Sequence, residues 1–185
     1  VFDVNDRTAS IGFIEYNFGA GSISELSSYL TMTTATSSTN EEGIRMDLSS
    51  DFSDAWTRNW VLTAQVKLSN NTSQDAGFGI SYSQSTNGSN AFGGSNGVNT
   101  DIHVGFLVDD GVLYASNANG TTQTRTDVSS GITLTNFNTY QIDFISGTSA
   151  KFYINGVLVA THTTNLQSTG STNFRCTFGI ATATT

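Results

Sequence analysis

Apolar and polar residues alternate with a period of two along most of this chain, which is typical of β-strands that bury one face. The longest alternation places Trp60, Leu62, Ala64, Val66 and Leu68 on one face and predicts a central strand. Shorter runs predict strands at 14–18, 29–32, 43–48, 78–82, 101–109, 112–115, 132–134, 140–146, 150–155, 157–163 and 174–181. The pattern therefore predicts an all-β chain with little or no helix.

The inward positions of these runs define a candidate core. If two antiparallel sheets pack face to face, the apolar residues of each run should meet between them. The predicted core comprises Trp60, Leu62, Val66, Phe78, Ile80, Val104, Phe106, Ile142, Phe144, Phe152, Ile154, Phe174 and Phe178.

Turn residues join several of the predicted strands into hairpins. Asn155-Gly156 separates two alternating runs, and both residues accept the positive φ that a two-residue type I′ turn requires. Asp109-Asp110-Gly111 and Asn119-Gly120 predict two further hairpins on the same grounds. These turns favour consecutive antiparallel strands over a parallel sheet.

The segment from Tyr140 to Thr163 resembles a hairpin common in concanavalin A-like, or laminin-G-like, jelly-roll domains, with the run Phe-Tyr-Ile-Asn-Gly-Val-Leu-Val at its centre. The resemblance implies an antiparallel two-sheet jelly-roll sandwich. Lectins, glycan hydrolases, adhesins and phage surface proteins share that architecture, so it implies a fold more sharply than a function. We expect residues 1–185 to form a single domain of this kind.

Composition narrows the classes of partner. The net charge is −8, and the seven Lys and Arg residues are scattered, which disfavours a nucleic-acid partner. No apolar run approaches the roughly 20 residues that span a bilayer, so we expect no membrane insertion. Cys176 is the one cysteine and lies at an inward position, which predicts a buried thiol and no disulfide framework.

Catalytic motifs are not evident. Retaining glucanases of the resembled fold carry paired carboxylates two or three residues apart on one strand, and none of Glu15, Glu25, Glu41 or Glu42 has a carboxylate two positions further on. His103 and His162 fall at outward positions of predicted strands, which predicts two surface histidines. We therefore expect a protein without enzymatic activity, and glycoside hydrolase or lyase activity is the weaker alternative.

A structural calcium ion is a plausible ligand, because the resembled fold often carries one and the chain is rich in oxygen donors. Two groups of residues are candidates: Asp3, Asn5 and Asp6 near the start, or Asp109 and Asp110 at a turn. The simpler interpretation of Asp109-Asp110-Gly111 is a hairpin turn alone.

Aromatic residues near loops are the candidate glycan contacts, since sugar rings stack on aromatic faces. Trp56, Tyr82, Phe92 and Tyr114 are the candidates, although Trp56 could instead fill a loop and the tyrosines could continue core stripes. Phe92 lies in the long Ser-, Asn- and Gly-rich segment 83–99, which we expect to project at the sandwich rim as a contact site.

These observations favour a non-catalytic carbohydrate-binding or adhesion module displayed outside the cell, on a cell surface or on a virus particle. The alternative is a structural subunit of a surface assembly, such as a phage capsid decoration, tail or fibre protein, which contacts neighbouring protein subunits. Burial of more than roughly 1,000 Å² against neighbours would distinguish the second function.

Overall fold

The computed structural model describes residues 13–18, 22–26, 29–33, 41–47, 54–69, 74–82, 100–169 and 173–182. Within these ranges the chain forms thirteen strands and one turn of 3-10 helix at Ala55–Thr57. The strands are β1 (Phe13–Phe18), β2 (Ser22–Leu26), β3 (Tyr29–Thr33), β4 (Glu41–Asp47), β5 (Trp60–Val66), β6 (Gln74–Ser81), β7 (His103–Asp109), β8 (Val112–Ala118), β9 (Gln123–Asp127), β10 (Asn138–Ile145), β11 (Ser149–Ile154), β12 (Val157–His162) and β13 (Arg175–Thr182). Across these ranges, no helix is long and apolar enough to cross a membrane.

The strands form two main antiparallel sheets. One has seven strands in the order β1-β4-β13-β6-β7-β8-β9, and the other has four in the order β12-β11-β10-β5. A separate β2–β3 hairpin adds a third, two-stranded sheet, and Met32 of β3 packs against the core. The predicted antiparallel sandwich is confirmed.

The core lies between the two main sheets. Stacked and edge-to-face ring pairs join them, as where Phe106 of β7 contacts Tyr140 of β10 and Phe152 of β11 at centroid distances of 5.0 and 5.4 Å. Of the predicted core residues, Trp60, Leu62, Val66 and Phe178 are half-buried and pack against the cluster. The others are buried: Phe78, Ile80, Val104, Phe106, Ile142, Phe144, Phe152, Ile154 and Phe174.

Two predicted turns adopt the backbone that their residues favour. Asn155 and Gly156 have φ values of 51° and 80°, and Asp110 and Gly111 have 49° and 79°. Asn155 also fastens its hairpin to β10, because its Oδ1 accepts from the Thr139 amide and its Nδ2 donates to Asn138 Oδ1. The type I′ chemistry therefore sets the register of β11–β12 and of β7–β8.

Strand β12 contains a bulge. Ala160 pairs with Phe152 and Leu158 pairs with Tyr153, so Val159 is an additional residue on β12. Val157 and Leu158 beside it are 65% and 50% exposed. β12 forms one edge of the four-stranded sheet among the described pairings.

Three predictions about elements are wrong. The long alternation at Trp60 forms β5, which is an edge strand and not a central one, because β10 is its only neighbour among the described strands. Residues 132–134 lie in a turn region and not in a strand. Residues 22–26, for which no strand was predicted, form β2. Strand alternation does not specify how many neighbours a strand will have, because those neighbours come from distant sequence.

Candidate functional site

The seven-stranded sheet has a face directed away from the four-stranded sheet, which we call the outer face. Residues directly opposite in antiparallel strands point to the same side. Gly43, Gly179 and Gly77 stand opposite one another across three strands, and Gly79 stands opposite Gly105. Gly79 has a φ of 154°, which L-residues rarely adopt. Gly77 and Gly79 of β6 are thus part of a glycine strip across the centre of this sheet.

Tyr114 lies on the outer face beyond the glycine strip. It stands opposite Leu107 of β7 and Asp127 of β9, and its ring packs against the fully buried Leu107. The guanidinium carbon of Arg125 lies 4.0 Å from the centroid of the Tyr114 ring. Arg125 Nη2 also donates to Asp109 Oδ2 at 2.7 Å. The two charged side chains are 19% and 16% exposed, so the arrangement reaches solvent.

The acidic residues at the β7–β8 turn adjoin this arrangement. Asp75 of β6, Asp109 and Asp110 each place one carboxylate oxygen within 4.8 Å of the others. Asp75 Oδ1 accepts from the Asp110 amide at 3.2 Å, and Asp109 pairs with Arg125. Carboxylate oxygens are the ligands that calcium prefers. However, the Asp75 carboxylate already stabilises the turn, and the Asp109 carboxylate already binds the Arg125 side chain. The other candidate calcium ligands, Asp3, Asn5 and Asp6, lie outside the described residues.

His103 is buried on the outer face, with no exposed surface, so the prediction of a surface histidine is wrong. Its Nδ1 lies 2.7 Å from the Asp101 carbonyl oxygen, which can only accept, so Nδ1 carries the proton. Its Nε2 then accepts from the Ser116 hydroxyl at 2.8 Å, and Gln123 donates to the same hydroxyl oxygen at 2.9 Å. Burial, with a smaller contribution from the charge of Arg125, lowers the pKa of His103 to about 4.

His162 is likewise buried, on the opposite side of the seven-stranded sheet, which corrects the second surface assignment. Its ring contacts Phe152, and its nitrogens bond to Asn117 of β8 and Thr126 of β9. Burial lowers the pKa of this imidazole to about 4. His103 is buried on the outer face, where Asp101 and Ser116 bind its ring. His162 is buried for another reason: the extra residue Val159 reverses the alternation of β12, so that His162 pairs with the buried Ala150 and points to the core.

The remaining aromatic candidates do not gather around Tyr114. Trp56 has no exposed surface: its ring packs edge-to-face on Phe144 and Phe174, and its Nε1 donates to the Asn173 carbonyl at 2.8 Å. It fills the core, so its assignment as a glycan contact is wrong. Tyr82 is half-buried and directly follows β6. Phe92, with the whole segment 83–99, lies outside the described residues.

Arg125 and Asp75 are site residues that sequence reasoning missed. Gln123, Arg125 and Asp127 alternate on β9, and the Asn119-Gly120 hairpin sets their register against β8. Tyr114 pairs with Asp127 and Ser116 with Arg125 across a four-residue loop, 119–122, and Gly120 has a positive φ whereas Asn119 does not. The predicted hairpin is present, but the two-residue turn expected at Asn119-Gly120 would have placed β9 two residues out of this register. Asp75 carried no local signal, because its place beside Asp109 and Asp110 depends on β6 pairing with β7.

No protein-family model and no curated protein matches this sequence. Among solved structures, a protein of unknown function from Shewanella oneidensis MR-1 is similar with a TM-score of 0.61 and 12% identity, over 99% of this chain and 75% of that one. The potassium-bound carbohydrate recognition domain of Emp46p has a TM-score of 0.54 and 8% identity, over 92% and 81% of the two chains. The carbohydrate-binding module CBM66 from Bacillus subtilis has a TM-score of 0.50 and 11% identity, over 93% and 92%.

These similarities, together with the sheet order, define the class. The chain is an all-β jelly-roll sandwich of the concanavalin A-like type, as the Tyr140–Thr163 segment predicted. At such low identities the similarity establishes the fold alone.

Proposed function

We propose that this protein is a non-catalytic carbohydrate-binding module, displayed outside the cell or on a virus particle, that binds glycan on the outer face around Tyr114. The arrangement of Tyr114, Arg125 and Asp109 carries the proposal. It combines an aromatic ring with hydrogen-bond donors and acceptors at a partly exposed position, which is the chemistry that sugar hydroxyls and ring faces require. The carbohydrate-binding proteins among the structural neighbours support the same class of ligand.

Two observations support a non-catalytic role. The Ser116 hydroxyl lies within hydrogen-bond distance of His103 Nε2, as a nucleophile lies beside its base, but both residues are fully buried. The pKa of His103 is also lowered to about 4, and such a base accepts a proton poorly at neutral pH. In the acidic group, Asp75 is buried and Asp109 is paired with Arg125. Glycoside hydrolysis needs two accessible carboxyl groups flanking the scissile bond.

A glycan array followed by calorimetry with the best ligand tests the proposal. Tyr114→Ala should weaken binding at least about tenfold, because an aromatic contact supplies roughly 1.4 kcal/mol or more when it stacks on a ligand. Tyr153→Ala is the matched control, since Tyr153 is a half-buried tyrosine on the opposite side of the sandwich, away from Tyr114. Equal loss in both variants, or no glycan bound by the unmodified protein, would overturn the assignment. Release of reducing ends from the bound glycan would contradict the non-catalytic role.

The exposed apolar residues on the four-stranded sheet favour a second candidate function, a structural subunit of a surface assembly. Val61, Val157 and Leu158 are each at least half exposed. Light scattering over a range of protein concentrations would detect self-assembly. If assembly uses this surface, Leu158→Lys should abolish it while leaving glycan binding intact.

A further inference from the structure

His162 forms hydrogen bonds between the two main sheets of the sandwich. The residue lies at the end of β12 in the four-stranded sheet, and its imidazole lies 2.5 Å from Asn117 Oδ1 and 2.8 Å from Thr126 Oγ1 of the seven-stranded sheet. The residue is 4% exposed. These two contacts therefore fasten β12 to β8 and β9 from within the interior.

The position of the proton on the His162 imidazole follows from the orientation of the Asn117 side chain. Asn117 Nδ2 donates to the carbonyl oxygens of Thr164 and Asn165 at 2.9 and 2.7 Å, so its Oδ1 must face His162 as an acceptor. His162 Nδ1 therefore carries a proton and Nε2 accepts from the Thr126 hydroxyl. A neutral imidazole satisfies both partners at once.

The same polar network holds the segment after β12. Asn117 binds the backbone of Thr164 and Asn165, and Asn165 Nδ2 donates to Thr124 Oγ1 of β9 at 2.9 Å. Loss of the His162 contacts would leave Asn117 Oδ1 without its hydrogen-bond donor and weaken the attachment of both β12 and residues 163–169.

No charged group of the described chain faces this imidazole. On β9, Arg125 and Asp127 alternate with Thr126 and so point to the outer face, and on β11, Lys151 alternates with Phe152 and points away from the core. On β8 the facing residue is the neutral Asn117, and the facing positions of segment 163–169 are supplied by Thr164 and Asn165. A positive charge on His162 would thus be buried without a carboxylate partner.

We propose that His162 is an acid-sensitive latch between the two sheets: the neutral imidazole joins β12 to β8 and β9, and its protonation releases β12 together with residues 163–169. Released from the interior, the imidazolium is solvated by water. Because β8 and β9 carry Tyr114 and Arg125 on their other face, opening would also disturb the glycan site; that consequence rests on the proposed function, whereas the latch itself does not.

Hydrogen–deuterium exchange of the intact protein at pH 7 and pH 5 tests the latch. With a pKa of about 4 when closed and about 6.5 when solvated, the opening equilibrium of residues 157–169 should rise roughly 20-fold at the lower pH after correction for intrinsic exchange. Amides of β10, in the middle of the four-stranded sheet, should respond much less. A uniform rise over the whole chain, or no rise in residues 157–169, would overturn the proposal.

Three variants separate a latch from ordinary acid destabilisation. His162→Gln cannot titrate and should abolish the localised pH response. His103→Gln removes the other buried imidazole and should leave the response in place. Thr126→Asp adds a carboxylate beside Nε2, so the protonated ring gains a partner and opening should shift to lower pH. If His162→Gln fails to fold, Thr126→Asp still tests the proposal. Opening of residues 157–169 at pH 5 that equals or exceeds that of the unmodified protein would contradict it.

Discussion

The guanidinium of Arg125 lies over the ring of Tyr114 while it binds the carboxylate of Asp109, so one side chain joins an aromatic ring to an acidic turn. Three neighbouring strands, β7, β8 and β9, each contribute one of these residues. Arg suits this position because its planar cation can stack on a ring and donate from its edge simultaneously. The contact with Arg125 restrains Tyr114 on the outer face, beside the glycine strip.

Replacement of Arg125 should show how much its contacts with Tyr114 and Asp109 contribute to the free energy of unfolding. Arg125→Gln should lower the free energy of unfolding by about 1 kcal/mol, because a partly exposed cation–π contact and a partly exposed ion pair are each worth up to about that amount. Arg125→Lys should recover part of the loss. Urea denaturation provides the measurement, and a stability for Arg125→Gln equal to that of the unmodified protein would show that the contact is energetically neutral.

Stability should depend on pH through both histidines. The pKa of each imidazole is lowered to about 4 in the folded protein, whereas the unfolded chain titrates near 6.5. The unfolded state binds more protons between those values, so stability should fall as the pH drops from about 6.5 to about 4. The slope should be at most about 1.4 kcal/mol per pH unit for each histidine.

Denaturation at a series of pH values checks this prediction, and His103→Gln should remove about half of the slope. An unchanged slope in that variant would mean that carboxylates, and not the buried imidazoles, dominate acid unfolding.

The turn at Asn155-Gly156 should be sensitive to a side chain at its second position. A Cβ at Gly156 would meet nothing within 4 Å, so the cost of Gly156→Ala should come from its φ of 80° alone. That cost should be about 1 kcal/mol in the free energy of unfolding. Gly156→Asn should cost less, because Asn tolerates a left-handed backbone better than Ala does. Equal losses in the two variants would point to a steric cause instead.

The calcium prediction can be tested at the group formed by Asp75, Asp109 and Asp110. If calcium binds there, calcium at ten times its dissociation constant should stabilise the fold by about 1.4 kcal/mol, seen as a higher Tm that EGTA reverses. Asp110→Asn should reduce the effect, whereas Asp143→Asn, on the four-stranded sheet, should not. A Tm that does not change with calcium would show that these three carboxylates stabilise the turn and bind Arg125 but do not bind calcium.

The sequence predicted individual strands and turns better than it predicted which strands pair and which side chains become buried. The strands on either side of Asn155-Gly156 were predictable because alternation and turn chemistry both act within a few residues. The edge position of β5 was not, since it depends on which distant strands pair with it. Trp56 and His103 show the same limit: a tryptophan in a turn or a histidine at an outward position becomes buried through contacts with other parts of the chain. His162 points inward because of the bulge at Val159, which the alternation did not predict.

Within the candidate site, Tyr114, Asp109 and Asp110 were predicted separately, the first as a glycan contact and the others as calcium ligands. The structure brings them into one region through Arg125. That convergence required the register of three strands. The Asp110-Gly111 turn supplies the register of β7 with β8, whereas the four-residue loop between β8 and β9 differs from the two-residue turn predicted at Asn119-Gly120. Asp75 required the pairing of β6 with β7, which are separated by the long segment 82–102 and not by a short hairpin turn.

The additional residue Val159 has a consequence for solubility at high concentration. Among the described strands, β12 is an uncharged edge strand with apolar side chains, the kind of template on which other chains add as cross-β aggregates. A bulge interrupts the regular spacing of peptide groups and twists the strand, so an incoming strand finds no continuous ladder to extend. The bulge at Val159 thus protects the β12 edge, which contains neither proline nor lysine for that purpose.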